Sequence, residues 1–268
     1  MLNPIALRGS LNRLGLTARA TRRAFGTTSQ RLSASAPPNA PALNPRWLSE
    51  LQARIKRCAA LGLEARQRDE LKALQETVDA EWLDLLGGRE GFLTGPGWRG
   101  LDSHTVTWGD QVSHVNNVVY NKYAEAARFN WLRNFAAKDP EHRDEWTDLM
   151  TPRGIGLIMR SIKTDYKFPM GFPDNVTVLH KLVAKPTYES DYILLEGLLI
   201  SENHRRPAAR CFEDIVVYDY RTAKRTQLKL FMVDRLRDAY DAQETSRARC
   251  EERVNGLIEA VERIEKSA

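Results

Sequence analysis

Residues 108–128, WGDQVSHVNNVVYNKYAEAAR, decide how this chain folds. The stretch begins as the end of a strand, passes through a short polar turn, and continues with apolar residues at helical spacing. Asn116 and Asn117 are typical helix caps, because their side chains can accept hydrogen bonds from the free N–H groups of a first turn. Small residues on the helix, at Ala124, Ala126 and Ala127, would let a layer of strands approach closely. We therefore predict a strand, a turn and a largely buried central helix.

Two polar side chains precede this helix and could support chemistry there. Its free N–H groups carry partial positive charge and can hold a carbonyl oxygen as it becomes an oxyanion. Asp110 can attack a carbonyl carbon or activate a water for the attack, although it can also be an ordinary exposed turn residue. His114 can orient a substrate or a water, or be a hydrogen-bonded turn histidine. The junction of turn and helix is thus the candidate site.

The same stretch resembles the signature of hotdog-fold acyl-CoA thioesterases of the 4-hydroxybenzoyl-CoA thioesterase type, within the thioesterase/thiol ester dehydrase-isomerase superfamily. The resemblance covers roughly residues 98–233. It implies an antiparallel sheet wrapped around the central helix, and hydrolysis of acyl-CoA to the free acid and coenzyme A without a metal or another cofactor. It also implies a catalytic role for Asp110 and His114, and substrate-binding roles for Asn116, Asn117, Val118 and Tyr120.

The turn departs from the family pattern in its length. It is two residues shorter, and Val112 stands where the pattern has its second, catalytic aspartate. Two hypotheses follow. Either Asp110 has taken over in a remodelled turn, or the protein is a non-catalytic hotdog protein that binds acyl thioesters or serves as a structural subunit of a mitochondrial complex.

Further polar residues of the fold have less specific interpretations. Glu125 and Arg128 stand three residues apart on the predicted helix and favour an ion pair on the helix surface or at a subunit interface. Arg160 and His180 are interpreted as polar members of a sheet face. Four lysines on the predicted strands belong to a solvated strand face or attract coenzyme A phosphates: Lys163, Lys167, Lys181 and Lys185.

The positive charge of the chain is concentrated at its N-terminus. The 268 residues carry a formal net charge of +5, but residues 1–31 contain six arginines and the first acid is Glu50. The rest of the chain is therefore close to neutral, which argues against a nucleic-acid-binding domain. An arginine-rich, acid-free segment with interleaved leucines is typical of a mitochondrial presequence, and predicts a matrix protein. No apolar run is long enough to span a bilayer.

The predicted organisation has four parts: a presequence and linker (1–36), a helical hairpin (37–97), the hotdog domain (98–233) and a C-terminal helix (234–268). Four long alternating strands follow the central helix, and their short connections predict antiparallel neighbours. The fold class is therefore α+β. The hairpin is amphipathic and should pack on the main domain or on another subunit, and the open sheet edge of such a domain predicts a homodimer or homotetramer.

Overall fold

The computed structural model describes residues 43–108 and 111–267, so the predicted presequence and Asp110 lie outside the described residues. Helices α1 (Trp47–Ala59) and α2 (Ala65–Gly87) come first. They are followed by strand β1 (Arg99–Thr105), the two-residue strands β2 (Gln111–Val112) and β3 (His114–Val115), and the central helix α3 (Asn117–Lys138). The remaining elements are helix α4 (Arg143–Asp148), strands β4 (Ile155–Tyr166), β5 (Asn175–Leu182), β6 (Tyr192–Ser201), β7 (Arg206–Asp219) and β8 (Lys224–Arg225), and helix α5 (Leu230–Ser267).

The main sheet is antiparallel and has the order β1-β5-β6-β7-β4, with β8 paired to the end of β7. The prediction of antiparallel neighbours holds for β5 with β6 and for β6 with β7, and it is wrong for β4 with β5. β4 instead pairs with β7 along its whole length and forms one edge of the sheet. The segment between β4 and β5 is hydrogen-bonded through Phe168 and Met170 to Tyr120 of α3 and to Val115.

Helix α3 packs across one face of the sheet, which we call the inner face. Ala124 and Ala127 are fully buried there, as their small size predicts. Gly100 of β1 lies directly against the carbonyl group of Ala127, so that a Cβ atom at this position would collide with the helix backbone. Ala126 is exposed, contrary to the prediction, because it lies about 100° around the helix from Ala127. Small residues therefore set the close approach of α3 to β1.

Helices α1 and α2 and the second half of α5 cover the outer face of the sheet. One apolar cluster joins α1, α2 and the second half of α5 to Leu179, Leu198 and Ile200 of the sheet. Arg210 of β7 adds a polar tie, since its guanidinium contacts Glu90 at 2.6 Å just after α2. The hairpin thus packs on the protein's own sheet, and the predicted α+β fold with a helical hairpin and a C-terminal helix is confirmed. Within the described part of the chain, no helix is long and apolar enough to cross a membrane.

Candidate functional site

The turn before α3 is a very tight hairpin. β2 and β3 pair Gln111 with Val115 and Val112 with His114, which leaves Ser113 alone at the tip with a φ of 80°. A serine is uncommon in this left-handed region and is held there by the pairing on both sides. The backbone N–H of Val115 donates a hydrogen bond of 2.8 Å to the carbonyl oxygen of Met170, so the hairpin is anchored to the segment after β4.

One backbone N–H group in the first turn of α3 has no hydrogen-bond partner among the described residues. The Asn116 side chain accepts a hydrogen bond of 3.1 Å from the N–H of Val118, and the Asn116 carbonyl accepts one of 2.9 Å from Val119. Asn116 is therefore the helix cap, as predicted, and Asn117 is the first helical residue. The N–H group of Asn117 has no hydrogen-bond partner among the described residues. This group can donate to an incoming carbonyl oxygen at the positive end of the helix dipole.

His114 presents one ring nitrogen as a proton acceptor. Its side chain is exposed on the hairpin, and Nδ1 lies 2.9 Å from the carbonyl oxygen of Val115. A carbonyl oxygen only accepts hydrogen bonds, so Nδ1 must carry the proton. In the neutral ring, Nε2 is then the acceptor. The hairpin thus fixes the tautomer that a general base requires.

Val118 and Tyr120 have different positions although both were predicted to bind substrate. Val118 is 73% exposed and lies beside the turn. Tyr120 is buried, and its hydroxyl donates a hydrogen bond of 3.3 Å to the carbonyl oxygen of Phe168 and accepts one of 3.0 Å from the N–H of Met170. Burial raises the pKa of Tyr120. These two hydrogen bonds of the Tyr120 hydroxyl hold the segment after β4 in place.

The segment 167–174, KFPMGFPD, completes the surroundings of the turn, although it was not among the predicted site residues. Besides the contacts of Phe168 and Met170, it places Phe172 against Trp108, with ring centroids 5.9 Å apart in an edge-to-face arrangement. Both rings are exposed. The sequence signal for this segment was the presence of two phenylalanines within a Pro/Gly-rich connection, because ordinary surface turns consist mainly of Gly, Pro, Asn, Asp and Ser.

A buried charged cluster lies further along α3, between the helix and the inner face of the sheet. Arg128 Nη1 is 2.7 Å from Glu213 Oε1 on β7, and the Glu213 side chain is 0% exposed. The predicted pairing of Arg128 with Glu125 is therefore wrong, because the helix turns Arg128 inward and leaves Glu125 in solvent. His180 of β5 is also buried, with Nε2 3.6 Å from Glu213 Oε2. An ion pair thus joins α3 to β7, and the buried ring of His180 on β5 lies beside it.

The four lysines predicted as alternatives for phosphate binding all have acidic neighbours. Lys163 and Lys167 both lie near Asp165, at 3.1 and 3.9 Å. Lys181 pairs with Glu196 at 3.2 Å, and Lys185 with Asp241 at 2.6 Å. Lys181 and Lys185 are therefore paired within the protein, whereas Lys163 and Lys167 share one carboxylate and stay largely exposed. Among the described residues, no group of three or more His, Cys, Asp or Glu side chains is arranged to hold a metal ion.

Two cavities lie along α3. An open groove of about 690 Å³ follows the free edge of β1 from Arg99 to Thr107 and ends beside the turn; several polar side chains line it, but most of its surface is apolar. A smaller cavity of about 270 Å³ opens beside Phe129, and we call it the Phe129 cavity. It is bounded by the second half of α3, residues 149–152, and strands β4 and β7. Polar and apolar groups therefore line both the groove and the cavity.

The known proteins that are similar to this chain include several thioesterases. Residues 105–238, half of the chain, match the model of the thioesterase-like superfamily, whereas no curated protein matches the chain. Similar solved structures include a thioesterase of Thermus thermophilus complexed with coenzyme A and zinc (20% identity, 51% of this chain and 90% of that one, TM-score 0.40). They also include the probable thioesterase YbaW of Escherichia coli (22%, 52% and 94%, 0.39) and a DHNA-CoA thioesterase of Staphylococcus aureus (14%, 53% and 87%, 0.38). The chain belongs to the thioesterase-like superfamily.

Proposed function

We propose that this protein is an acyl-CoA thioesterase of the 4-hydroxybenzoyl-CoA thioesterase type, which hydrolyses a thioester to a free acid and coenzyme A. The observation that carries the proposal is the junction at the start of α3. There the N–H group of Asn117, which has no hydrogen-bond partner among the described residues, lies three residues from a histidine whose Nε2 is an acceptor. One group can stabilise an oxyanion, and the other can take a proton from water.

The roles of Asn117 and His114 follow from these positions, and that of Asp110 is a prediction from the sequence. The thioester carbonyl oxygen accepts a hydrogen bond from Asn117 N–H at the positive end of α3, which makes the carbonyl carbon more electrophilic. Asp110 or His114 takes a proton from a water molecule as its oxygen attacks that carbon. The carbon–sulfur bond then breaks, the carboxylic acid is released, and the coenzyme A sulfur leaves as thiolate or takes up the proton. The open groove along β1 leads to the turn, and polar side chains such as Arg99 and Asn130 line it, which can contact the coenzyme.

The activity is tested with the full chain by measuring thiol release from acyl-CoAs of graded length. We expect turnover in the wild type and a loss of kcat on the order of 10²-fold or more in Asp110→Asn or His114→Gln, whichever supplies the base. Asp238→Asn, an exposed carboxylate on α5, is the matched control and should leave kcat unchanged. Absence of turnover with every acyl-CoA refutes the activity, and unchanged kcat in both site variants refutes the mechanism.

The second candidate is a non-catalytic hotdog protein that binds acyl thioesters or is a structural subunit of a mitochondrial complex. The shortened turn favours it, as does the layer of α1, α2 and α5, which adds a large helical surface beyond the sheet. A binder would show no turnover, yet acyl-CoA would still raise its melting temperature by mass action. Thermal melting with and without acyl-CoA therefore distinguishes the two candidates once turnover has been measured.

We also propose a homodimer formed through β4, because the two edges of the sheet differ. β1 is interrupted by two register shifts, and Ser103 within it has a φ of 50°. Such irregularities protect an edge against pairing. β4 is twelve residues long, and its outer edge pairs with no strand of the described chain. Ile162 and Tyr166 are exposed on it. The outer face is covered by helices, which favours a dimer over a tetramer built on that face.

The exposed face of α3 is complementary to the same face of a second copy. Val118, Lys122, Glu125 and Phe129 follow one another at helical spacing on its solvent side, and we call them the α3 stripe. If two copies of α3 run antiparallel about a two-fold axis between residues 123 and 124, Val118 meets Phe129 and Lys122 meets Glu125. Apolar side chains then meet apolar ones, and each lysine meets a glutamate, which is the self-complementarity of a two-fold interface.

Charge exchange tests this dimer. The full chain of 30.5 kDa should have about twice that mass in light scattering. Lys122→Glu or Glu125→Lys alone places like charges opposite each other and should weaken the dimer, whereas the double exchange should restore it. A wild-type monomer at micromolar concentration refutes the dimer. Equal dissociation constants for the single and double variants refute the pairing of the stripe.

A further inference from the structure

We infer that Arg46, His204 and Arg206 together form a binding site for a phosphate group, for which coenzyme A is the favoured source. We call these three side chains the phosphate patch. Arg46 directly precedes α1, His204 lies in the turn between β6 and β7, and Arg206 begins β7. The site lies outside the groups proposed to cleave the thioester, and only its assignment to coenzyme A rests on the proposed function.

The ring of Phe168 holds two members of the patch together. The Arg206 guanidinium lies over this ring, with Cζ 4.3 Å from the ring centroid, and the ring centroid of His204 lies 4.6 Å from that of Phe168. A guanidinium that lies over an aromatic ring keeps its N–H groups at its edge, where they can still donate hydrogen bonds. His204 and Arg206 are therefore positioned around Phe168 before a ligand binds.

Arg46 brings a second positive charge close to Arg206. Burial lowers the pKa of the Arg206 guanidinium, and repulsion from Arg46 lowers this pKa further. In the part of the chain that the structure describes, no carboxylate lies within 4.0 Å of either guanidinium, whereas the neighbouring Arg205 is paired with Asp79. Two like charges held together without an acid cost free energy, and a bound anion would remove that cost.

The acidic side chains nearest in sequence to the patch are bonded to other groups. Both carboxylate oxygens of Glu202, in the turn after β6, accept hydrogen bonds, one from Thr177 of β5 and one from Ser103 of β1. Glu50, in the first turn of α1, accepts a hydrogen bond from the side chain of Asn44. The arginines of the patch are thus left to bind an anion from outside the chain.

His204 keeps one ring nitrogen available to a ligand. Ser201 Oγ donates a hydrogen bond of 2.6 Å to Asp174 Oδ2 and lies 3.0 Å from His204 Nδ1. Because the serine proton is directed to Asp174, Nδ1 carries a proton of its own and donates it to Ser201. The His204 side chain is 53% exposed, and its Nε2 has no hydrogen-bond partner among the described residues. Nε2 can accept a hydrogen bond from a protonated phosphate oxygen or, once protonated itself, donate to an ionised one.

Phosphate is the anion that these groups suit best. A guanidinium donates two parallel hydrogen bonds to two oxygens of one anion. A terminal phosphate has three oxygens and a charge of about −1.5 to −2 near neutral pH, so both arginines can bind it at once. A carboxylate has two oxygens and a single charge, and would satisfy only one of them.

The patch lies at the same end of the sheet as the turn before α3, which favours coenzyme A as the source of the phosphate. The carbonyl oxygen of Phe168 accepts a hydrogen bond from Tyr120 in the first turn of α3, while the Phe168 ring contacts Arg206. One short segment thus connects the proposed thioester site with the patch. Arg46 lies outside residues 105–238, which match the superfamily model, so the patch is built partly from the N-terminal helices of this chain.

Calorimetric titration of the full chain with inorganic pyrophosphate tests the patch. We expect the wild type to bind it, and Arg46→Gln and Arg206→Gln to bind it about tenfold more weakly, because each variant lacks one charge-assisted contact. Arg46 is exposed, so Arg46→Gln should fold like the wild type, which thermal melting checks. No binding by the wild type at millimolar concentration overturns the inference, and so do equal affinities of the wild type and both variants.

Two control variants separate the patch from a general attraction of anions. Arg225→Gln removes an exposed guanidinium at the opposite end of the sheet, where Arg225 is paired with Asp191. Arg22→Gln with Arg23→Gln removes two of the six arginines of residues 1–31, which can attract an anion by themselves. Both controls should retain wild-type affinity. A control that weakens pyrophosphate binding as much as Arg206→Gln does overturns the inference.

Coenzyme A and pantetheine, which carries the same thiol without a phosphate, distinguish two sources of the phosphate group. If the coenzyme occupies the patch, it competes with pyrophosphate, and Arg46→Gln and Arg206→Gln weaken its binding but not that of pantetheine. If a free phosphorylated ligand occupies the patch, pyrophosphate binds equally well with coenzyme A present, and the variants weaken the binding of pyrophosphate alone. Both results support the patch, and the second one removes its assignment to coenzyme A.

The thioesterase activity and the patch can fail separately. The titrations measure binding, so their outcome does not depend on whether the protein hydrolyses a thioester. If it does, Arg206→Gln should raise the KM for acetyl-CoA about tenfold with kcat unchanged, whereas the KM for S-acetylpantetheine should stay as in the wild type. An unchanged KM for acetyl-CoA excludes the coenzyme as the ligand of the patch.

Discussion

Replacing Glu213 by glutamine should destabilise the protein far more than replacing an exposed carboxylate by its amide. The carboxylate of Glu213 is fully buried and lies 2.7 Å from Arg128, whose side chain is 11% exposed. Glutamine keeps the shape of the side chain and one hydrogen-bond acceptor, but it removes the negative charge. The guanidinium then remains in a low-dielectric environment without a counter-ion.

The magnitude follows from burial. Breaking a buried ion pair from one side costs about 3–5 kcal/mol, and the hydrogen bond that glutamine retains places this variant near the lower value, about 3 kcal/mol. For a chain of this size that corresponds to a fall in melting temperature of roughly 6–12 °C. The pair of Arg225 with Asp191 has nearly the same distance, 2.6 Å, but both side chains are substantially exposed. Asp191→Asn should therefore cost about 0–1 kcal/mol.

Denaturant unfolding at fixed protein concentration and neutral pH compares Glu213→Gln, Asp191→Asn and wild type. A third variant, Arg128→Met with Glu213→Leu, removes both charges and should recover much of the loss, because apolar residues of similar volume tolerate this environment. The reasoning is refuted if Glu213→Gln and Asp191→Asn lose the same stability. It is also refuted if the double variant is less stable than Glu213→Gln.

Three further predictions concern other parts of the chain. Gly100→Ala should lower the free energy of unfolding by about 1–3 kcal/mol, because the added Cβ is overpacked against α3. Gly256→Ala should raise it by about 1 kcal/mol, because its Cβ enters open space on α5. Equal effects in denaturant unfolding would contradict the packing of β1. Burial raises the pKa of the Cys211 thiol from 9.0 to about 11, so the unfolded chain releases this proton first and stability falls as pH rises between these values. Urea unfolding at pH 8 and pH 10 should show a smaller decline for Cys211→Ala than for wild type, and an equal decline would exclude this thiol as a cause. Residues 1–40 fused to a fluorescent protein should direct it to mitochondria. Replacing Arg22 and Arg23 by glutamate should weaken the mitochondrial import of the fusion. Diffuse cytosolic fluorescence from the unaltered fusion would refute the proposed localisation.

The sequence by itself determined the class of fold and the start of its central helix. Apolar spacing predicts each long helix and strand, because burial of one face imposes its period on the sequence. Asn116 predicts where α3 begins, since capping involves only a side chain and an N–H group two residues away. The resemblance of residues 108–128 to a thioesterase signature placed the candidate site at the same point. These are local properties, and a single sequence contains them.

The tertiary structure alone decided which distant groups meet. Nothing local indicates that Arg128 pairs with Glu213, because a helical neighbour at Glu125 is equally charged and much nearer in sequence. The inward direction of Arg128 depends on how α3 lies across the sheet. Likewise, β4 pairs with β7 and not with β5, and the segment between β4 and β5 is hydrogen-bonded to Tyr120 and Val115, which are distant in sequence. Such choices depend on packing and on the cost of leaving buried polar groups unpaired, and both are properties of the whole fold.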